Sequence, residues 1–324
     1  METNPKLSGK CFYFYRPQKP IVICGVHQNV YAEVNLPFLK AHQIDLVRRN
    51  SGGSAVYVDS GNLTYCYIDT EATIQRPHFA QYAQPIIQVL RHLGVNAVMS
   101  GRNDLTVDGK KFSGMSASKM GHRVSYGGTL MIDVNLENAT RALTPSKAKL
   151  TAKSVKSVHS RVTNLRPYFK ASMADLSFEQ LKKMILLAIF QKERLDQIQT
   201  YRLTTADWQA VAKLADQKYG TKKWIYGDES TFQYHCEHYF KGVGTVSVDF
   251  SVSDDQITKL KIYGDFLQTG GGLTQLERQL QGCNYSREAL AQAFRHVSLQ
   301  KIIGNISAES LADMMLTASS KMEA

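Results

Sequence analysis

The first third of the chain alternates in short apolar runs. "CFYFY" at residues 11–15 and "IVICG" at 21–25 are rich in β-branched and aromatic residues, and a proline-containing turn parts them. Both read as strands. Residues 47–68 hold two more, broken at glycines. The period then changes. "HFAQYAQPIIQVLRHLG" at residues 78–94 carries apolar residues at helical spacing and ends in glycine, which predicts a helix with Pro85 in or near its first turn. Asp108-Gly109 between two strand-like runs predicts a hairpin. "YGGTLMIDV" at 126–134 is a further strand.

Helices dominate the middle. Residues 176–193 predict one, with Ser177 and Gln180 as a capping box and Leu181, Ile185 and Ala188 as its core stripe. Residues 205–220 predict a second capped helix. A polar break follows at 227–231. Residues 243–266 then read as an antiparallel hairpin turning at 253–256, and helices are expected over 273–281, 286–296 and 307–317. Strands followed by helices in so short a segment indicate a separate α+β unit. The expected division is a large α/β (α+β) domain over 1–226, a linker over 227–240 and a small domain over 241–324.

Composition narrows the class. Hydrophobic residues make up 43% of the 324, enough for a sizeable core. No apolar run approaches the ~18–20 residues of a membrane span, and "METNPKLSGKC" lacks a signal-peptide pattern. Cys11, Cys24, Cys66, Cys236 and Cys283 are widely spaced without a CxxC pair, which fits reduced thiols and a cytoplasmic location. The net charge of +11 favours anionic partners. The densest basic run, residues 145–161, has no interleaved aromatics. A basic nucleic-acid-binding protein is the non-enzyme alternative; it predicts strongly salt-dependent binding without sequence preference. "HCEH" at residues 235–238 gathers metal-ligand types, with a spacing that a helix could use, but no second cluster completes a zinc set.

Four segments each bring small or cationic groups next to a strand end: residues 48–54 ("RRNSGGS"), 100–105 ("SGRNDL"), 110–114 ("KKFSG") and the Lys/Ser stretch around Lys153. Glycines let backbone approach a phosphate, and lysine supplies a point charge. An aspartate after Arg-Asn offers Mg2+ an oxygen ligand. No Walker or Rossmann pattern is present. Taken singly, each piece also reads as an ordinary solvated turn, and Asp104 as a cap or a partner of Arg102.

In this order, "VRRNSGGSAVYVDSGNLTY", "GRNDLTVDGKKFSG", "GGTLMIDVNLENATRAL" and "KLTAKSVKSVHSRVTNL" resemble the successive motifs of the lipoate–protein ligase family. "FKGVGTVSVDF", "ITKLKIYGDF" and "LQGCNYSREAL" resemble its small accessory domain. The resemblance implies a biotin-ligase-like mixed sheet flanked by helices, ATP with Mg2+, lipoate as substrate and a lipoyl-adenylate passed to an acceptor lysine. Lys111 is then the lysine bridging acyl carboxylate and phosphate. Arg49, Ser51, Gly52, Gly53, Asn62, Asp104 and Lys153 match nucleotide- or adenylate-side positions, with Asp104 near Mg2+. Gly52, Gly53, Ser54, Val58, Lys111 and Gly114 fall at the lipoate side. The implied acceptors are lipoyl domains of E2 subunits or the glycine-cleavage carrier protein, docking near residues 147–161. A monomer is expected, with no nucleic-acid or membrane partner and an accessory domain that rotates between steps.

Departures from the family pattern sit at the site. Ser54 replaces a third glycine, Val58 a histidine, Val26 a basic residue and Ser116 an alanine. The family's opening strand and helix precede "CFYFY", where this chain begins almost at once; an uncovered apolar surface is expected beside the first strands. The alternatives on the same fold are a catalytically weakened paralogue and a lipoyl or octanoyl transferase. For the transferase Cys66 is the nearest thiol, and its place in "LTYCYI" predicts a core position.

Overall fold

The computed structural model describes residue 4 and residues 7–70, 78–121, 123–144, 161–227, 231–267 and 271–320. Its centre is a six-stranded antiparallel sheet in the order β1-β5-β9-β8-β7-β6, built from β1 (Lys10–Tyr15), β5 (Asn62–Asp69), β6 (Val98–Ser100), β7 (Asp104–Val107), β8 (Lys110–Met120) and β9 (Arg123–Met131). The hairpin expected at Asp108-Gly109 joins β7 to β8, with both residues at positive φ. Side chains alternate between faces along each strand. Leu63, Tyr65, Tyr126, Leu130 and Met115 therefore face a core closed by the helices Phe79–His92 and Phe178–Phe190. Thr64, Cys66, Gly127, Thr129 and Ser116 pave the other face, which stays open as the wall of a cavity.

Tyr65 pairs directly with Gly128. A Cβ at Gly128 would lie 2.5 Å from the Tyr65 hydroxyl, so the ring covers the glycine from the core side. The strand β1 is the edge of this sheet and has no fully buried residue; Tyr13 and Tyr15 stand 45% and 41% exposed above the open face. The helix Phe79–His92 differs from expectation. Pro85 is its seventh residue and lies inside it rather than in the first turn. The bond that Pro85 cannot donate would go to the carbonyl of Gln81, an exposed residue that water can satisfy. The buried stripe of Phe79, Ala83, Ile86, Ile87 and Leu90 holds the helix in place.

A second, mixed sheet has the order β3-β2-β4, from β2 (Ile21–Cys24), β3 (Asp45–Arg48) and β4 (Val56–Val58). The run 47–68 thus makes three strands, not two. β2 pairs with β3 in parallel because two short helices, Val30–Glu33 and Leu36–Ala41, carry the chain back. The third sheet, β12-β11-β10-β13, holds the expected hairpin of β11 (Gly244–Ser253) and β12 (Gln256–Gly264), ends at the short β13 (Ser319–Ser320) and packs on the helices Leu273–Leu280, Arg287–Arg295 and Ala308–Leu316. Its third strand, β10 (Tyr234–Phe240), falls in the stretch expected to be a linker. "HCEH" therefore lies on a strand, where alternate residues point to opposite faces. Cys236 is in the core, and His235 is held by Asp249 at 2.6 Å. Among the described residues no group of three His, Cys, Asp or Glu side chains is placed to hold a metal.

The small unit is fastened to the large one by the chain leaving β12. Gly264 N–H donates to the His27 carbonyl at 2.9 Å, and the Phe266 ring stacks on His27. Leu267 is buried, joins the large unit's hydrophobic cluster and packs beside Gly53 at the cavity. No described helix is long and apolar enough to cross a membrane.

Gly128→Ala tests the covered glycine. The added methyl has to displace a buried ring, so we expect a loss of about 1–3 kcal/mol, read as a lower urea midpoint.

Candidate active site

A cavity of about 840 Å³ lies on the open sheet face, between the Arg49–Val56 loop and the β6–β8 edge. The loop begins with two arginines, and both serve carbonyls. Arg48 is 8% exposed. Its Nη1 donates to the carbonyls of Gly25, Val26 and Gln28 at 2.8, 3.2 and 2.7 Å, and its Nε to Ile225 at 3.0 Å. Arg49 donates from Nε to the Ser51 hydroxyl, from Nη1 to the Ile23 carbonyl, and from Nη2 to the carbonyls of Gly52 and Ser54, at 2.7–3.0 Å. Burial lowers the Arg49 pKa to about 10, so it remains a cation at neutral pH. Its guanidinium curls the loop from within while also lining the cavity.

The glycines of the loop, and Gly25 in the turn beside it, answer to steric demands. A Cβ at Gly25 would meet the Gly53 carbonyl oxygen at 2.0 Å, and one at Gly52 would meet the Phe266 carbonyl oxygen at 2.1 Å. Gly53 has φ of 94°, which an L side chain rarely adopts. Ser51 Oγ sits 2.8 Å from Ser116 Oγ and so pins the loop to the sheet. Ser54 Oγ donates to Asp265 Oδ2 at 2.9 Å.

Across the cavity stands Lys111. Its Nζ is 2.7 Å from Asp104 Oδ1, while Arg161 Nη2 is 3.1 Å from Asp104 Oδ2. Two features of the backbone place this triad. The β7–β8 register slips between Leu105 and Thr106, so that Thr106 pairs with Lys111 and Leu105 with Ser113. Phe112 and Ser113 are both fully buried as a result. Without that extra residue, Lys111 and Gly114 would point to opposite faces; with it, Lys111 Nζ hangs over Gly114, where a Cβ would meet it at 2.8 Å. Then Thr163 N–H donates to the Lys111 carbonyl at 2.9 Å, which lays Arg161 beside Asp104.

Of the sequence-derived site residues, Arg49, Ser51, Gly52, Gly53, Ser54, Asp104, Lys111 and Gly114 line the cavity. Val58 and Asn62 do not. Val58 is 0% exposed in the strand β4. Asn62 is 1% exposed, and its Oδ1 accepts the Asp59 N–H in the turn between β4 and β5. Lys153, and the basic run but for Arg161, lie outside the described residues. Sequence reasoning passed over Arg161, Asp265 and Tyr13, and it placed Cys66 in the core. The Cys66 side chain lines the cavity opposite Gly127 and Tyr13.

Residues 1–190 match the family model of the lipoyl protein ligase A/B catalytic domain, and residues 229–315 that of the bacterial lipoate protein ligase C-terminus. The chain is 36% identical over 299 residues to lipoate–protein ligase 2 of Staphylococcus aureus, covering 92% of this chain and 87% of that one. It belongs to the lipoate–protein ligase family. The crystal structure of LipL1 from P. falciparum in complex with lipoate superposes with a TM-score of 0.70 at 23% identity, over 90% of this chain and 83% of that one. A lipoate–protein ligase A bound with ATP superposes at 0.52, with 20% identity, over 67% and 86%. The fold is thus the mixed α/β architecture of these ligases, and the chain carries the catalytic domain of an enzyme family.

Within this ligase fold the departures have distinct consequences. Val58 pairs with Ile21 inside the mixed sheet and does not reach the cavity. Ser54 reaches it and binds the small domain. For Mg2+, Asp104 offers a carboxylate already shared by two cations, and among the described residues no cluster of further carboxylates surrounds it. The described residues do not form a metal cage, which fits an Mg2+ that arrives with the nucleotide rather than one resident in the protein.

Two measurements check the site as built. Lys in place of Arg49 presents one nitrogen where three carbonyls and a hydroxyl need a planar fork. Arg49→Lys should therefore speed amide exchange over residues 51–55 and lower the melting temperature by a few degrees. Desolvation raises the Cys66 thiol to about 11, which leaves about one part in a thousand as thiolate at pH 8. Alkylation at Cys66, followed by mass spectrometry, should rise about tenfold per pH unit from 8 to 10.

Proposed function

We propose that the chain is an ATP-dependent lipoate–protein ligase of the cytoplasm that works through lipoyl-AMP. The observation that carries this reading is the placement of Lys111 Nζ over Gly114, facing the Ser51–Ser54 loop across the cavity. In the first step the lipoate carboxylate attacks the α-phosphorus of ATP. The bond to the β-phosphate oxygen breaks and pyrophosphate leaves. Negative charge gathers where the carboxylate meets the phosphoryl oxygens, and a fixed ammonium there lowers the barrier. Lys111 supplies it. Asp104, itself balanced by Arg161, holds that ammonium in place. The sheet face of Thr64, Cys66 and Gly127, with Tyr13 and Met120 at its margin, gives the acyl tail a largely apolar slot.

In the second step the amine of an acceptor lysine attacks the acyl carbonyl. AMP leaves, and the amine proton passes to solvent. The acceptor is a lipoyl domain of an E2 subunit or of the glycine-cleavage carrier. The five free cysteines fit a reducing compartment. Residues 1–226 hold the substrates; the small unit, whose sheet begins with β10, closes the cavity from the side of Tyr239, Gly244 and Asp265. Transfer through a cysteine acyl-enzyme is disfavoured, because burial keeps the Cys66 thiol protonated.

The test is lipoate-dependent release of pyrophosphate from ATP with Mg2+. Lys111→Ala should reduce it by about 10²–10³, the range for removing one charge-stabilising donor. Gly114→Ala should reduce it by tenfold or more by pushing the Lys111 ammonium aside, with little change in melting temperature. Equal release by the parent and Lys111→Ala would remove the lysine from the reaction.

A further inference from the structure

The loop that is to receive the nucleotide is already occupied by the chain itself. Gly53 N–H donates to the Phe266 carbonyl at 3.2 Å. The Ser54 hydroxyl donates to Asp265 Oδ2, and the other oxygen of that carboxylate accepts the Thr245 N–H at 2.6 Å. Asp265 is 6% exposed and lines the cavity. Leu267 packs at 3.3 Å from where a Gly53 side chain would begin. A second tie lies nearby: Arg102 Nη2 donates to the Val243 carbonyl at 2.9 Å. The segment 264–267 thus lays a carbonyl and a carboxylate on one of the loop's amide donors and on its hydroxyl.

Those groups have the wrong sign for a nucleotide site. An anion entering the loop meets a carbonyl on the donor it needs and a buried carboxylate beside it. The hydroxyl of Ser54 is what the carboxylate holds. A glycine there would have nothing to offer Asp265, whereas serine supplies a charge-assisted hydrogen bond.

We propose that Ser54 and Asp265 form a latch by which the small domain closes the glycine loop against nucleotide in the unliganded protein. The proposal rests on the ligase reading above, since it is ATP whose entry the latch opposes. Binding of ATP and the Ser54–Asp265 contact are mutually exclusive, so weakening the contact strengthens binding by the same factor. Asp265 acts through the loop and is a positioning residue, not a catalytic one.

The experiment compares the parent with Ser54→Ala, Asp265→Asn and the double variant, each as the full chain. ATP affinity with Mg2+ is measured by calorimetry, and amide exchange over residues 51–55 and 262–267 is followed without ligand. Asp265→Asn keeps an oxygen for the Thr245 N–H and puts an uncharged NH2 donor where the carboxylate accepted from Ser54, which guards against a variant that simply fails to fold. Each single change should tighten ATP binding roughly three- to tenfold and speed exchange in both segments. The double variant should gain no more than the better single one. For Asp265→Asn, lipoate-dependent pyrophosphate release should show the gain in KM for ATP, not in kcat. Unchanged or weaker ATP binding in variants that still release pyrophosphate overturns the latch and leaves the ligase reading standing. Exchange that does not rise in either variant also overturns it. If neither parent nor variants bind ATP, the ligase reading fails and the latch falls with it.

Discussion

Carbonyl groups left without partners in a tight loop are the problem around which this molecule is built. The segment from Arg48 to Ala55 turns sharply between two strands, and helix or sheet can satisfy little of its backbone. Arg49 solves this from within the loop, and Arg48 does the same for the neighbouring turn at residues 25–28. Arg48 gathers the carbonyls of Gly25, Val26 and Gln28, Arg49 those of Ile23, Gly52 and Ser54. A planar fork with fixed donor directions suits several carbonyls at once, which explains why two adjacent cations precede a stretch with almost no side chains. The shape of the cavity wall follows from these bonds. So does the surface onto which the segment 264–267 docks.

The opposite wall depends on a different device. A one-residue slip between β7 and β8 breaks the alternation of the strand at Phe112 and Ser113. It turns Lys111 to the face that Gly114 leaves open. The lysine is then flanked by Asp104, which Arg161 balances from a segment aligned beside the start of β8. Charge, space and direction at this point are thus set by backbone register first and by side-chain identity second.

The sequence revealed most of the elements whose signals are local. The Asp108-Gly109 hairpin, the Ser177 cap and the hairpin of β11 and β12 each rest on a few adjacent residues, and they stand where expected. Ordered motifs likewise brought Ser51, Gly52, Gly53, Asp104 and Lys111 to one cavity. Facts that depend on partners distant in the chain were not legible. The role of Arg49 requires knowing where the carbonyls of Ile23 and Ser54 lie. Cys66 looked like core because both faces of β5 carry uncharged residues, and only the pairing with Gly127 reveals which face is open. Asn62 sits beside the motif that suggested it, yet it serves the β4–β5 turn instead. Pro85 was assigned by helix rules alone, which do not register that an exposed carbonyl tolerates the missing donor.

Leu267 belongs by sequence to the small unit and by contact to the large one. During synthesis the ribosome delivers the six strands of the central sheet and both covering helices well before this residue. Until it emerges, the early-made core has a vacant place beside Gly53, and that glycine's amide has no Phe266 carbonyl to meet. The large domain can collapse on its own schedule, but its last packing position is filled from about sixty residues before the end of the chain. Shortening the chain before Leu267 would therefore remove part of the catalytic domain's interior along with the small domain.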